Sequence, residues 1–305
     1  MEPNIALRIA QEGANYLHNQ IKVTGKFVYQ RNKKGKVIKG KYNMLRHAGT
    51  IWALKQMDIP IPNINAAEVY LGIGSVSTKK YTLLWDKSSA KLGLNALGIL
   101  ALGIHKEGVD KLEKGMNFFM DAGYHKFLFD SDEFSNFKSE YYPGEAALAY
   151  ATLGNLEPCL RILKNLHKNK GKDNNIIHDH WALQAVERYL KVSQRSIREK
   201  DIAWLSDYTH ETAQAIMSQP EKYSGRMCAM ATRVEALLAA YKVTQSITYM
   251  YGAERILNQL TYYRNGIKGH KCYGAFQQSG IYQIDYTQHA ICGFKKFADI
   301  KLKSK

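Results

Sequence analysis

Gly144–Leu153 reads GEAALAYATL, and its composition decides the fold class. An acid stands at its start, and eight of the remaining residues are small or apolar with no polar side left for water. A helix of this kind is buried on most faces, and its Ala and Gly residues let neighbouring helices approach closely. Five other segments share the pattern: RHAGTIWAL (Arg46–Leu54), GLNALGILAL (Gly93–Leu102), DHWALQAV (Asp179–Val186), RVEALLAAY (Arg233–Tyr241) and DYTQHAICGF (Asp285–Phe294). They recur about every 48 residues, a spacing that suits a helical hairpin with generous loops.

Each segment is preceded by a more amphipathic stretch. Ile5–Gln20, Val109–Met120, Leu156–Leu166, Ala203–Met217 and Ile247–Tyr263 place apolar residues at helical spacing with charges between them. The second pair is the least regular, because Pro60 and Pro62 open Ala66–Leu71, and Thr78–Trp85 reads as loop or strand. Twelve helices in six hairpins, inner apolar ones alternating with outer amphipathic ones, predict an all-α (α/α)6 toroid. An open solenoid is the competing arrangement, but the count stops at six and neither end carries a polar capping repeat. Residues 1–305 are expected to form one domain with a basic tail at 295–305.

Composition limits the function classes. The chain has 305 residues with 43 Lys+Arg against 27 Asp+Glu, a formal net charge of +16. The basic runs are Lys33–Lys36 through Lys39 and Lys41, and the tail Lys295, Lys296, Lys301, Lys303 and Lys305. They are nearly all lysine, a hydrated point charge rather than the planar fork that reads bases. No nucleic-acid-binding motif accompanies them, so nucleic acid is not the expected partner. The four cysteines form no C-x-x-C pair, which argues against a zinc ribbon or disulfide scaffold and for reduced thiols in a cytoplasmic protein. No secretory leader is visible, and the most apolar run, Leu92–Ile104, is too short to cross a bilayer. Gly72-Ile73-Gly74-Ser75 is too short for a phosphate loop, so no cofactor is expected.

The inner segments begin with polar side chains: Arg46 and His47, Asn95, Glu145, Asp179 and His180, Arg233 and Glu235, Asp285 and His289. Capping and first-turn acids account for such residues one at a time. Recurrence at one phase of a repeat points instead to a shared polar pocket, because burying these groups without partners costs several kcal/mol each. Asp179, Glu145, Asp285 and Glu235 are the acid/base candidates, and His47, His180 and His289 the secondary ones. Arg46 and Arg233 suit an anion clamp. Tyr42, Trp52, Asn95, Tyr142, Trp181 and Tyr286, with Tyr141, suit contacts to a sugar. Paired carboxylates favour glycoside hydrolysis on an acidic sugar or oligosaccharide. The alternatives are an epimerase or lyase with a His or Tyr base, and a non-catalytic glycan- or peptide-binding toroid.

The segments YNMLRHAGT (Tyr42–Thr50), YYPGEAALA (Tyr141–Ala149), DHWAL (Asp179–Leu183) and IDYTQHA (Ile284–Ala290) sit within a pattern that covers Ile5 to Phe297. That pattern resembles the six-hairpin (α/α)6 families acting on carbohydrates: unsaturated glucuronyl hydrolases, N-acylglucosamine 2-epimerases and glucuronyl C5-epimerases. The resemblance implies a carbohydrate or other anionic small molecule as substrate. The chain is also similar in architecture to lanthionine cyclases, which need a Cys-Cys-His zinc site. Cys272 lies near His270 in GHKCYG, but no Cys-His-Gly run occurs, and no metal is expected.

Overall fold

The computed structural model describes residues 1–40, 42–170, 179–193, 198–218 and 226–303. Twelve α-helices dominate these residues, with eight short strands between them. In chain order the helices are α1 (Pro3–His18), α2 (Met44–Lys55), α3 (Ile64–Ile73), α4 (Leu92–Leu102), α5 (Val109–Ala122), α6 (Tyr142–Leu153), α7 (Leu156–Lys168), α8 (His180–Val192), α9 (Glu199–Ser218), α10 (Met227–Thr244), α11 (Ile247–Leu260) and α12 (Ile284–Lys303). All six apolar segments lie in the even-numbered helices. No helix among the described residues is long and apolar enough to cross a membrane.

Burial separates the two helix types as their composition demands. Every residue of α4 from Leu92 to Ala101 is buried, and so is every residue of α6 from Gly144 to Ala151. On α7 only Cys159, Ile162, Leu163 and Leu166 are buried, a stripe at i, i+3, i+4 and i+7. Each large side chain fully buried in this way contributes about 1.5–3 kcal/mol. Left-handed glycines end α5 and α6: Gly123 at φ +72° and Gly154 at φ +84° accept a backbone that a Cβ would strain.

The chain falls into two compact units. Unit 1 comprises Met1–Tyr70, Gln219–Leu238 and Ile247–Lys305; unit 2 comprises Leu71–Ser218 and Ala239–Ser246. Within unit 1, α12 packs on α1, α2 and α11. Residues 295–303 continue α12, where Lys295 is buried and pairs with Asp58 and Asp299. A three-stranded antiparallel sheet runs in the order β1 (Gln30–Asn32), β8 (Ile281–Gln283), β7 (Gln277–Gln278).

Within unit 2, α6 packs on α4, α7 and α8. A five-stranded antiparallel meander runs β2 (Ser75–Ser77), β3 (Thr82–Asp86), β4 (Ser89–Lys91), β5 (Lys126–Leu128), β6 (Glu133–Phe134). Phe127 pairs across to Ala90 and to Phe134, and Phe118 of α5 packs on Phe127 and Phe134. Thr78–Trp85 therefore resolves into a turn and most of β3. Outside Thr78–Trp85 the strands were not legible, since runs of two to five residues carry little alternation.

Candidate functional site

Unit 1 gathers polar groups at the starts of α2 and α12 and along α10. Asn43 caps α2, its side chain accepting from Arg46 N, which sets the first turn that carries Arg46. Arg46 Nε lies 3.4 Å from Asp285 Oδ2. Asp285 is buried in the first turn of α12, and Gln283 Nε2 donates to its other oxygen. Gln283 is aligned in turn by Gln30, its partner across the β1–β8 ladder. Gln288 and Thr50 bond at 2.8 Å where Gly49 allows α2 and α12 to close.

Glu235 of α10 and His289 of α12 form the second pair, Glu235 Oε2 to His289 Nδ1 at 3.1 Å, both side chains almost fully buried. A carboxylate on Nδ1 fixes the orientation of the ring. Two cysteines flank these acids. Burial pushes the Cys228 thiol up to about 12, Asp285 and Glu235 adding to the rise and Arg46 opposing it. Burial likewise raises Cys292, and the Glu235 charge adds to it. Burial also raises the Tyr286 phenol, with Asp285 adding to the effect. Neither thiol nor phenol is a ready nucleophile in this setting.

Two expected site residues of unit 1, His47 and Tyr42, bond to each other and to the protein backbone. His47 is fully buried, with Nε2 2.9 Å from the Ala67 carbonyl and Nδ1 2.7 Å from the Tyr42 hydroxyl. Tyr42 accepts from Phe27 N as well, so the Tyr42–His47 pair ties three segments together. Burial pushes His47 down to about 4, which keeps it neutral. Neither His47 nitrogen is left for a substrate. Arg233 stands two residues before Glu235, and neighbours at that spacing do not share a helix face. Both lie two turns into α10, since the apolar MCAMAT stretch extends that helix back to Met227. Trp52 is half-buried further along α2.

Unit 2 assembles a different group at the starts of α6 and α8. Asp179 caps α8, its Oδ1 accepting from Trp181 N at 2.9 Å. Its Oδ2 is buried and makes no hydrogen bond among the described residues. Burial raises this carboxyl to about 7, while the N–H groups of Trp181 and Ala182 pull it back. Glu145 is buried in the first turn of α6 behind Pro143. Glycines make room for both acids: a Cβ on Gly144 would lie 2.3 Å from Asp179 Oδ2, and one on Gly93 would lie 2.1 Å from Glu145 Oε2. Tyr142 also packs over Gly93. His180 packs against Trp181 in a tilted contact and against Tyr141 edge to face, with ring centroids 4.7 and 5.8 Å away. Tyr208 of α9 is buried nearby, and its phenol is raised by burial and then by the Asp179 charge.

Asn95 is engaged by the protein itself. It is fully buried, accepts from Leu84 N at 3.2 Å and donates to the Lys91 carbonyl at 3.1 Å, pinning β3 to α4. His270 and Cys272 likewise hold a turn, His270 Nδ1 accepting from Cys272 N and from Asn265 Nδ2. Gln30, Gln283, Cys228 and Tyr208 were missed. Only Gln283, two residues before Asp285 in IYQID, carried a local signal.

With twelve helices of alternating burial on the page, the fold class is the (α/α)6 toroid. Its particular likenesses are to solved sugar-processing enzymes. The chain matches cellobiose 2-epimerase from Spirochaeta thermophila DSM 6192 with a TM-score of 0.67 at 14% identity, covering 98% of both chains. Against cellobiose 2-epimerase from Bacillus thermoamylovorans B4167 the TM-score is 0.70 at 13% identity, over 96% of this chain and 98% of that one. A D-mannose isomerase gives 0.65 at 12% identity, over 98% and 97%. At such identities the likeness is one of fold. No family model and no curated protein matches the chain by sequence.

Proposed function

We propose that the chain is a carbohydrate-active enzyme that moves a proton at the carbon beside a sugar carbonyl, as an epimerase or isomerase does. The observation that carries this reading is the buried Glu235–His289 pair at 3.1 Å. In the proposed step, His289 Nε2 takes the C2 proton of an open-chain aldose while Glu235 holds Nδ1–H and stabilises the imidazolium. The electrons left behind form an enediolate, whose developing negative charge would be met by Arg46, held in place by Asp285. Rotation about C2–C3 in the enediolate turns its other face to His289, and return of the proton to C2 then gives the epimer; return of the proton to C1, with the O2 hydroxyl proton passing to O1, gives the ketose.

The sequence alone favoured hydrolysis, because acids outnumber histidines. In unit 1 each acid instead faces a base, Asp285 with Arg46 and Glu235 with His289. That pairing suits orienting roles better than an acid and a nucleophile across a glycosidic bond. The likeness to sugar epimerases and a sugar isomerase supports the same choice. Glycoside hydrolysis stays as a second reading for unit 2, because a carboxyl raised to about 7 at Asp179 is what a general acid requires.

The test is to incubate the protein with a panel of reducing mono- and disaccharides and resolve the products by chromatography. A C2 epimer or ketose that disappears in His289→Asn and forms more slowly in Glu235→Gln is expected. Release of a shorter sugar that depends on Asp179 and not on His289 would replace this reading with hydrolysis.

A further inference from the structure

The positive charge of this protein is concentrated where two acid-free stretches meet. Between Glu12 and Asp58 there is no Asp or Glu but ten Lys+Arg, and between Glu254 and Asp285 there are four more. The β1–β8 ladder, Gln30↔Gln283 to Asn32↔Ile281, joins the two stretches. The turns beyond it touch: a Cβ on Gly35 would lie 3.0 Å from Lys271 Cβ, and one on Gly280 3.9 Å from Lys33 Cβ. The Lys33–Lys36 turn is preorganised. Asn32 Oδ1 accepts from both Lys34 N and Lys36 N at 3.0 Å, and Arg31 donates to the Gly35 carbonyl at 2.8 Å.

What this face offers outward is lysine. Lys33, Lys34, Lys36, Lys39, Lys268 and Lys271 are exposed, and none forms an ion pair among the described residues. The arginines of the β1–β8 ladder and its adjoining turns are committed inward, Arg31 to Gln20 and Gly35, and Arg264 to Glu12. Beside the lysines lies a cleft of about 200 Å³ whose lining includes Asn15, Asn19, His270, Lys271 and Tyr273. Glu12 also lines it, but its carboxylate is engaged by Arg264 and by the Tyr273 hydroxyl. Because His270 Nδ1 already accepts two N–H groups, its remaining nitrogen is a donor. Two aliphatic side chains adjoin the lysines in sequence and stay in water: Val37 is 48% exposed and Ile267 is 69% exposed.

We propose that this face of unit 1 docks on an anionic phospholipid surface, with a lipid phosphate in the His270–Lys271 cleft and the lysines spread over neighbouring headgroups. Lysines without free arginines suit a diffuse sheet of charge rather than a shaped polyanion. Exposed Val37 and Ile267 gain by entering a headgroup layer and gain nothing along a nucleic-acid backbone. The contact is peripheral and inserts no helix.

Co-sedimentation of the full chain with vesicles tests it. Vesicles of phosphatidylcholine with about 30% phosphatidylglycerol should retain the protein at about 50 mM salt and release it near 0.5 M, and neutral vesicles should not retain it. Lys33→Glu, Lys36→Glu and Lys271→Glu together should weaken the partition by about 100-fold. Val37→Ser with Ile267→Ser should weaken it severalfold at unchanged charge. Failure to bind anionic vesicles, binding indifferent to those lysines, or duplex DNA outcompeting the vesicles in the same buffer would each overturn the proposal.

Discussion

Units 1 and 2 begin their inner helices with the same residue types and use them in opposite ways. Unit 1 carries 23 of the 43 Lys+Arg but only 9 of the 27 Asp+Glu, and its buried acids face bases. Unit 2 carries the remaining 20 and 18; the acids buried at its inner-helix starts, Glu145 and Asp179, lie over glycines, and among the described residues only Asp201 of the outer helix α9 is buried there beside bases, Lys164 and Arg198. A carboxylate beside a base orients its partner, whereas burial raises the carboxyl of Asp179, which caps α8, against the pull of the Trp181 and Ala182 N–H groups. Polar helix starts are therefore not one device repeated but two. The difference teaches that position in a repeat fixes where a side chain goes, while its neighbours fix what it does.

The sharpest way to break this comparison is by activity. His289→Asn should lower turnover on an identified sugar by about 1000-fold or more, and Glu235→Gln by about 10–100-fold with little change in KM. Asp179→Asn should leave at least a tenth of that turnover. A larger loss at Asp179 than at His289 would reverse the roles assigned to the two units.

Stability against pH gives the next effect. Asp179 has a carboxyl at about 7 in the folded chain against 3.8 when free, so the folded state holds its proton more tightly. Its contribution is greatest below 3.8, falls as pH rises to 7, and stays lost above that. Asp179→Asn should raise the Tm at pH 8, by up to a few kcal/mol in stability, and leave it nearly unchanged at pH 4. The glycines come third. Gly144→Ala should cost about 1–3 kcal/mol in urea melts, because its Cβ would meet both Asp179 Oδ2 and Trp181 Cβ. Gly49→Ala should cost less, since the atoms it meets end the flexible Gln288 side chain.

The smallest effect is one the units share. His47 in unit 1 and His125 in unit 2 are both pushed down to about 4, mainly by burial. The unfolded chain binds those protons near 6.5, so stability should fall as pH drops from 6.5 toward 4. Thermal melts of His47→Gln should show a shallower acid limb and an overall loss of about 1–2 kcal/mol from broken hydrogen bonds.

The helical plan was legible because GEAALAYATL and LGLNALGILAL are small and apolar all round, which only a buried helix tolerates. Polar starts were legible too, yet their roles were not. His47 and Asn95 look like site residues in RHAGT and GLNALG, but the partners that occupy them lie outside those helices: Ala67 in α3, Tyr42 in the loop before α2, Leu84 in β3 and Lys91 in β4. Arg233 and Glu235 were placed at a helix start because charge breaks the apolar run there, whereas α10 begins six residues earlier. The pairing of Glu235 with His289 spans 54 residues and has no local signature.

Proton exchange at the sugar measures the central claim most directly. Incubated in D2O with its substrate, the wild-type protein should place deuterium at C2 of the recovered sugar, read by proton NMR, and His289→Asn should place none. Deuterium entering at the wild-type rate without His289, or product forming with no label at C1 or C2, would contradict the assignment of His289 as the proton carrier.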